Sequence, residues 1–231
     1  MKIKCMLDKR YYSEKPTGKD VGAIQNRITP MDITVEDLSN ELIRGASFKA
    51  PSMNGRTDSS WVSQQLFALD FDEDTTIEEE LNRCKELDIL PVFGYTSFSH
   101  TKEQHKFRLV FMVDEVIKEW EDAKKMQTLL MRLFYKCDKQ CSNLGRLYFG
   151  GKELIYTNYS NILDYKKLLT VHRDILYNNK LGRKGVPNKD NIYNINYIRY
   201  PKNPLTDNED INYNIQAIKE HNIDTSKLYY I

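Results

Sequence analysis

Two aspartates with one residue between them, Asp70 and Asp72, close an apolar run, Leu66-Phe67-Ala68-Leu69-Asp70-Phe71-Asp72. On an extended strand residues i and i+2 share a face and lie about 7 Å apart. Carboxylates that close repel unless a cation stands between them. Hard divalent ions take oxygen ligands, and Mg²⁺ is usually held by one or two carboxylates together with substrate phosphates. The pair therefore reads as a candidate metal site; the alternative is a solvated strand end neutralised by Arg108. Lys106 and Arg108 alternate with Phe107, Leu109 and Phe111, which puts both cations on one face of a second apolar strand. Thr96-Ser97-Phe98-Ser99-His100 offers the hydroxyls of Ser97 and Ser99 and a histidine able to donate to a phosphate or orient a metal ligand. The alternative for His100 is a surface side chain in a polar turn, and His105 reads as a loop residue. Asp138 can supply a third carboxylate. Arg146 can meet a phosphate bidentately, or pair with a nearby acid.

These side chains need elements to hold them. Residues 66–71 read as a strand by their apolar run. Thr75-Thr76 can cap a helix whose first turn carries Glu78, Glu79 and Glu80 and whose stripe is Ile77, Leu81, Cys84 and Leu87. Residues 89–98 and 106–113 read as a second and third strand, 116–134 as a helix, and 146–149 as a fourth strand ended by Gly150-Gly151. The order is β-α-β-β-α-β, the split βαβ of ferredoxin-like folds, in which the first and third strands are neighbours. Alternation then sends Phe67, Leu69 and Phe71 towards the helices. Asp70, Asp72, Lys106 and Arg108 go to an open sheet surface. Before this module, residues 35–42 read as a helix and the rest of 1–60 is mixed.

In that order, the hhhDhD strand at 66–72, the Ser/His segment at 96–100, the 106–111 strand, and Asp138 with Gly145-Arg146-Leu147-Tyr148-Phe149-Gly150-Gly151 resemble the archaeo-eukaryotic primase superfamily. The branch they look most like is the primase-polymerases of phages, plasmids and other bacterial mobile elements. The similarity covers roughly residues 30–155. It implies an α+β fold: an RRM-like (ferredoxin-like βαββαβ) catalytic module, about 61–155, packed with an N-terminal α/β module. It implies Asp70, Asp72 and Asp138 as ligands of two Mg²⁺ or Mn²⁺ ions. One ion would activate a 3′-hydroxyl and the other would hold the triphosphate and the leaving pyrophosphate. Ser97, Ser99, His100, Lys106, Arg108 and Arg146 would bind the nucleotide. The family's second motif is a Ser-x-His strand. Here Ser99 and His100 are adjacent and Arg108 follows on the next strand, so both His100 and Arg108 are candidates for the phosphate contact. The implied activity is DNA primer synthesis or extension from nucleoside triphosphates on a single-stranded DNA template, during replication of a mobile element.

Composition bounds this reading. Apolar residues are 40% of the 231, enough for a core, so a wholly disordered chain is excluded. Lys and Arg number 34 against 33 Asp and Glu, so only local charge can choose a partner. No apolar run of membrane length occurs, and the first residues lack the apolar core of a signal peptide, so a cytoplasmic protein is expected. Four cysteines do not make a disulfide framework. Cys137-x3-Cys141 lacks the second pair of a tetrahedral site, so structural zinc is not favoured. Composition shifts near residue 158: 13 of 18 Asn and 10 of 15 Tyr lie at or beyond residue 156. Residues 1–157 are thus expected to form the catalytic domain, and 158–231 a basic, Asn- and Tyr-rich appendage. Its segment 166–202 would track template phosphates, with Tyr193, Tyr197 and Tyr200 stacking on bases, or would be a solvated tail. No phosphate-binding Gly-x-x-x-x-Gly-Lys loop is present, so any replicative helicase is expected to be a separate partner, or to belong to a longer protein of which this sequence is a part. The competing reading is a catalytically inactive, primase-like module that binds nucleic acid at replication initiation. A rolling-circle nuclease would need a His-x-His motif, and none occurs.

Overall fold

Strand alternation at the centre of the chain sets the architecture of the computed structural model, which describes residues 2–177. The N-terminal part is β1 (Lys2–Asp8), α1 (Lys19–Arg27), β2 (Thr29–Thr34), α2 (Val35–Ile43), β3 (Ser47–Lys49) and β4 (Ser52–Met53). Then come β5 (Trp61–Phe71), α3 (Ile77–Glu86), β6 (Phe93–Ser97), β7 (Phe107–Ile117), α4 (Trp120–Leu133), β8 (Gly151–Thr157), α5 (Tyr165–Val171) and α6 (Arg173–Tyr177). The strands form two antiparallel sheets, β2-β1-β3 and β4-β5-β7-β6-β8. The described residues belong to one compact unit.

Both faces of the five-stranded sheet are buried. Phe67, Leu69 and Phe71 of β5 and Phe107, Leu109 and Phe111 of β7 point one way, into a core closed by Cys84 of α3 and Ala123, Met126, Leu129, Leu130 and Leu133 of α4. Leu66, Ala68, Val110 and Met112 point the other way, against Ile3, Cys5 and Leu7 of β1 and Val35, Leu38 and Leu42 of α2. The alternation follows the sequence reading, but the second face is not open. The three-stranded sheet and α2 cover it, because Leu66 and Ala68 on that face have apolar area to bury as well. Asp70 and Arg108, on the same face, are 3% and 6% exposed.

Thr76 caps α3 with a complete capping box. Its hydroxyl accepts from Glu79 N–H, and the Glu79 carboxylate accepts from Thr76 N–H. Such a cap stabilises a helix by about 1 kcal/mol. The expected α2 helix forms as well.

Three boundaries differ from expectation. The second strand starts at Phe93, not Ile89, because Pro91 has no N–H for a ladder. Val116 and Ile117 belong to β7 rather than to the next helix, in keeping with the β preference of β-branched residues. The fourth strand is Gly151–Thr157, not 146–149. In the earlier segment Tyr148 alone bridges, exchanging backbone hydrogen bonds of 2.8 and 2.9 Å with Phe48. Gly151 thus starts a strand instead of ending one. A Cβ there would lie 1.7 Å from Thr96 O, so only glycine lets β8 approach β6 this closely.

Strands β5, β7 and β6 with α3 make the split βαβ unit, β7 lying between the other two. In a ferredoxin-like sheet the last strand would lie beside the first. Here β8 lies beside β6, and the short β4 takes the place beside β5. Residues 158–177, read from composition as the start of the appendage, pack on the domain. Leu163 bridges Val113, and Leu168, Leu169, Ile175 and Leu176 rest on the helical core. Residues 178–231, with Tyr193, Tyr197, Tyr200 and most of the basic segment, lie outside the described residues. Among the described residues no helix is long and apolar enough to cross a membrane.

Candidate metal centre and its cleft

Asp138 is remote in sequence from Asp70 and Asp72, and the main chain brings it to them. Its N–H donates to Asp70 O at 2.8 Å, and Asp70 N–H in turn donates to Cys141 Sγ at 3.3 Å. The 138–141 segment therefore grips both backbone groups of Asp70. Asp138 also caps the 3-10 turn Lys139–Ser142, accepting from Gln140 N–H at 2.9 Å. The outcome is three carboxylates, each with an oxygen within 4.8 Å of the others'.

Two arginines partly offset that charge. Arg108 stands directly across from Asp70 in the β5–β7 register, and its Nε lies 2.9 Å from Asp70 Oδ1. Its Nη1 donates to Phe149 O at 2.7 Å, an oxygen that also accepts from Tyr95 OH. Arg146 reaches in from the 143–150 segment. One of its nitrogens, Nη2, lies 2.7 Å from Asp70 Oδ2 and 2.8 Å from Asp138 Oδ2. Both arginines thus meet acids in the way the plainer reading of each allowed. Asp72 takes part in none of the ion pairs among the described residues. Burial raises its pKa, and the neighbouring charge of Asp70 raises it further. Asp138 moves the other way. Burial is the largest single influence and pushes it up, but the Gln140 N–H and the Arg146 guanidinium together outweigh that and lower it.

The residues present fit a hard divalent ion. Asp70 Oδ1 is buried and has no hydrogen-bond donor; its contact with Arg108 is a charge contact without hydrogen-bond alignment. A buried carboxylate oxygen left in that state is a lone pair available to a cation. Three aspartate oxygens in one place are the donor set that Mg²⁺ and Mn²⁺ prefer.

The triad lies in a cleft of about 840 Å³. Ser97 and Arg108 line it from β6 and β7, Ser99 and Lys106 from the connection between those strands, and Arg146 from the segment before β8. His100 does not join them: its Nδ1 accepts from Lys106 N–H at 3.1 Å and its ring packs 5.3 Å from that of His105. It holds the β6–β7 turn, and its pKa is lowered by burial and then by His105. The opposite wall comes from residues that the sequence reading did not single out: Lys15, Gln25, Lys49, Arg56 and Asp58. Lys49 is 1% exposed, and its Nζ donates to Arg56 O at 2.9 Å. The available signal was a lysine between Phe48 and Ala50 in a short apolar strand. Arg56 and Asp58 sit in a polar loop that carries no such mark. Six lining side chains are cationic and four acidic, so the cleft suits a polyanion that arrives with metal.

No family model matches the chain, and no curated protein does. Among solved structures, the AEP domain of the primase-polymerase (PrimPol) of cyanophage S-2L is similar in fold. It is 12% identical, with a TM-score of 0.46, over 73% of this chain and 86% of that one.

Proposed function

We propose that the chain is a metal-dependent nucleotidyltransferase of the primase-polymerase kind, which adds nucleotides to a 3′-hydroxyl on a single-stranded DNA template. The observation that carries the reading is the meeting of Asp70, Asp72 and Asp138 on the floor of a cation-rich cleft, with a buried carboxylate oxygen that no donor satisfies. The order of the 66–72, 96–100, 106–111 and 138–151 segments, which resembles that of the archaeo-eukaryotic primases, supports it. In this reading the β5–β8 module is the family's RRM-like catalytic unit.

Asp70, Asp72 and Asp138 would hold Mg²⁺ or Mn²⁺, which would supply activation of the attacking hydroxyl and charge stabilisation on the leaving pyrophosphate. The chain's own groups do the rest. Arg108, fixed by Phe149 O and Asp70, keeps the Asp70 carboxylate aimed into the cleft. Lys106 and Arg146 offer cations to the triphosphate, and Ser97 and Ser99 offer hydroxyl donors. Lys15, Lys49 and Arg56 on the opposite wall attract the template backbone.

A second reading is favoured by one observation: Arg108 and Arg146 already partner Asp70, so the acids are partly satisfied without an ion. On that view the domain binds nucleic acid and performs no chemistry. The test is incubation with single-stranded template, nucleoside triphosphates, and Mg²⁺ or Mn²⁺. Labelled product that disappears in the Asp70→Ala, Asp72→Ala double variant supports the transferase. Template binding without product, unchanged in that variant, supports the second reading.

A further inference from the structure

One guanidinium nitrogen stands where a metal ion would bridge two of the three acids. Nη2 of Arg146 is 2.7 Å from Asp70 Oδ2 and 2.8 Å from Asp138 Oδ2. A Mg²⁺ or Mn²⁺ ion bound by the same two oxygens would sit about 2.1 Å from each, within the same gap. Two positive centres cannot share it. We propose that Arg146 is a displaceable occupant of the metal position, so that the cleft selects a metal–triphosphate complex over the free ion. This deepens the transferase reading and rests on it.

The surroundings of Arg146 fit an exchange. Its side chain is 15% exposed at the cleft edge, against 8% for Arg108. Arg108 is tied to a backbone carbonyl, Phe149 O, at 2.7 Å. Beyond the two acids, the partners of Arg146 are weak ones: Cys141 Sγ at 3.7 Å and the ring of Tyr148, 5.4 Å from the guanidinium carbon. With Asp70 and Asp138 engaged by an ion, the Arg146 guanidinium would move out into the cleft. A bare ion leaves that cation without the two carboxylates that held it. A triphosphate brought by the ion supplies one, in the bidentate geometry that guanidinium favours. Free metal therefore binds weakly, and metal and triphosphate bind cooperatively.

The test is Mn²⁺ titration of the whole chain, followed by the electron paramagnetic resonance of free Mn²⁺, with and without a non-hydrolysable nucleoside triphosphate. Without nucleotide, Arg146→Gln is expected to bind Mn²⁺ about tenfold more tightly than the wild type, a normal size for coupled sites. Its Mn²⁺ affinity should gain less from the triphosphate than the wild type's does. Arg146→Lys, which can touch one acid but not bridge two, should lie between. If Arg146→Gln is unfolded without Mn²⁺, Arg146→Lys carries the comparison, and no gain over the wild type overturns the proposal. Equal or weaker Mn²⁺ binding in Arg146→Gln, with binding lost in Asp72→Asn, overturns the exchange while the metal reading stands. No Mn²⁺ binding in any variant overturns both.

Discussion

Asp70 and Asp72 are two residues apart and serve one proposed site, yet neutralising each should move stability in opposite directions. Asp70→Asn keeps the shape and removes the charge. Arg108 and Arg146 then lose the carboxylate they share, and the Asp70–Arg108 pair is buried, with side chains 5% and 8% exposed. Removing one partner of a buried pair typically costs about 3–5 kcal/mol, because the other charge is left uncompensated. Arg108 retains Phe149 O and the Tyr95 ring, and Arg146 retains Asp138, so the lower end, about 3 kcal/mol, is expected here. Asp72 has no cation in contact, and its pKa is raised by burial and by Asp70. Asp72→Asn relieves both and should stabilise by about 0.5 kcal/mol, little because water reaches the cleft. Urea denaturation at neutral pH in the presence of a chelator measures both. An Asp70→Asn variant no less stable than Asp72→Asn would refute the account of Asp70 as the charge on which the cluster's two arginines converge.

Glu80 is 3% exposed, and burial raises its pKa despite the bond from Thr75 and the charge of Arg83. A carboxyl whose folded pKa is raised binds its proton more tightly when folded. Its contribution to stability therefore declines as pH rises from the ordinary carboxylate value, about 4.3, through the raised one. Glu80→Gln should gain about 1 kcal/mol in urea unfolding at pH 7 and close to nothing at about pH 4. Gly151→Ala should cost about 3 kcal/mol or more, because its Cβ would meet Thr96 O at 1.7 Å, and should free β8 from β6 by hydrogen exchange. Gly145→Ala should cost about 1 kcal/mol, because the Cβ meets Asp58 Oδ1 at 2.4 Å and that carboxylate ends an exposed side chain able to turn away. His100→Ala should leave Mn²⁺ affinity unchanged in titration, since the ring holds the β6–β7 turn and does not line the cleft.

The parts of the fold legible in the sequence were those with a local signature. Period-2 alternation placed Phe67, Leu69 and Phe71 opposite Asp70, and Thr76 with Glu79 marked the start of α3. The same alternation put Arg108 on the face of Asp70 but could not say that the two stand directly across from each other. That register depends on where β7 pairs, a non-local fact. What failed had no local signature. Gly150-Gly151 looks like a terminator, and only the approach of Thr96 O makes Gly151 the start of a strand. The 146–149 segment alternates like a strand but finds Phe48 as its one ladder partner. The cover over the second sheet face comes from β1 and α2, whose own patterns do not say what they pack against. The cleft's far wall was missed for the same reason: Lys15, Lys49 and Arg56 become neighbours of the acids only once the two sheets have packed.

The charge balance of the centre ties these observations together. Three carboxylates face two guanidiniums, which leaves one negative charge uncompensated on the cleft floor. Exchange of the Arg146 guanidinium for a divalent ion would bring the cluster to neutrality, with Arg108 unmoved. The two arginines thus divide the work that a metal-binding fold requires. Arg108, held by a carbonyl and buried, lets the acids be brought together before any ion arrives. Arg146, held chiefly by the acids themselves, limits their repulsion only until something of higher charge takes its place. That division also explains why the backbone, and not the side chains, locates Asp138. The bonds from Asp138 N to Asp70 O and from Asp70 N to Cys141 Sγ remain when the side-chain pairs are exchanged. The main-chain positions of Asp70 and Asp138 therefore do not depend on the arginine that bridges their side chains.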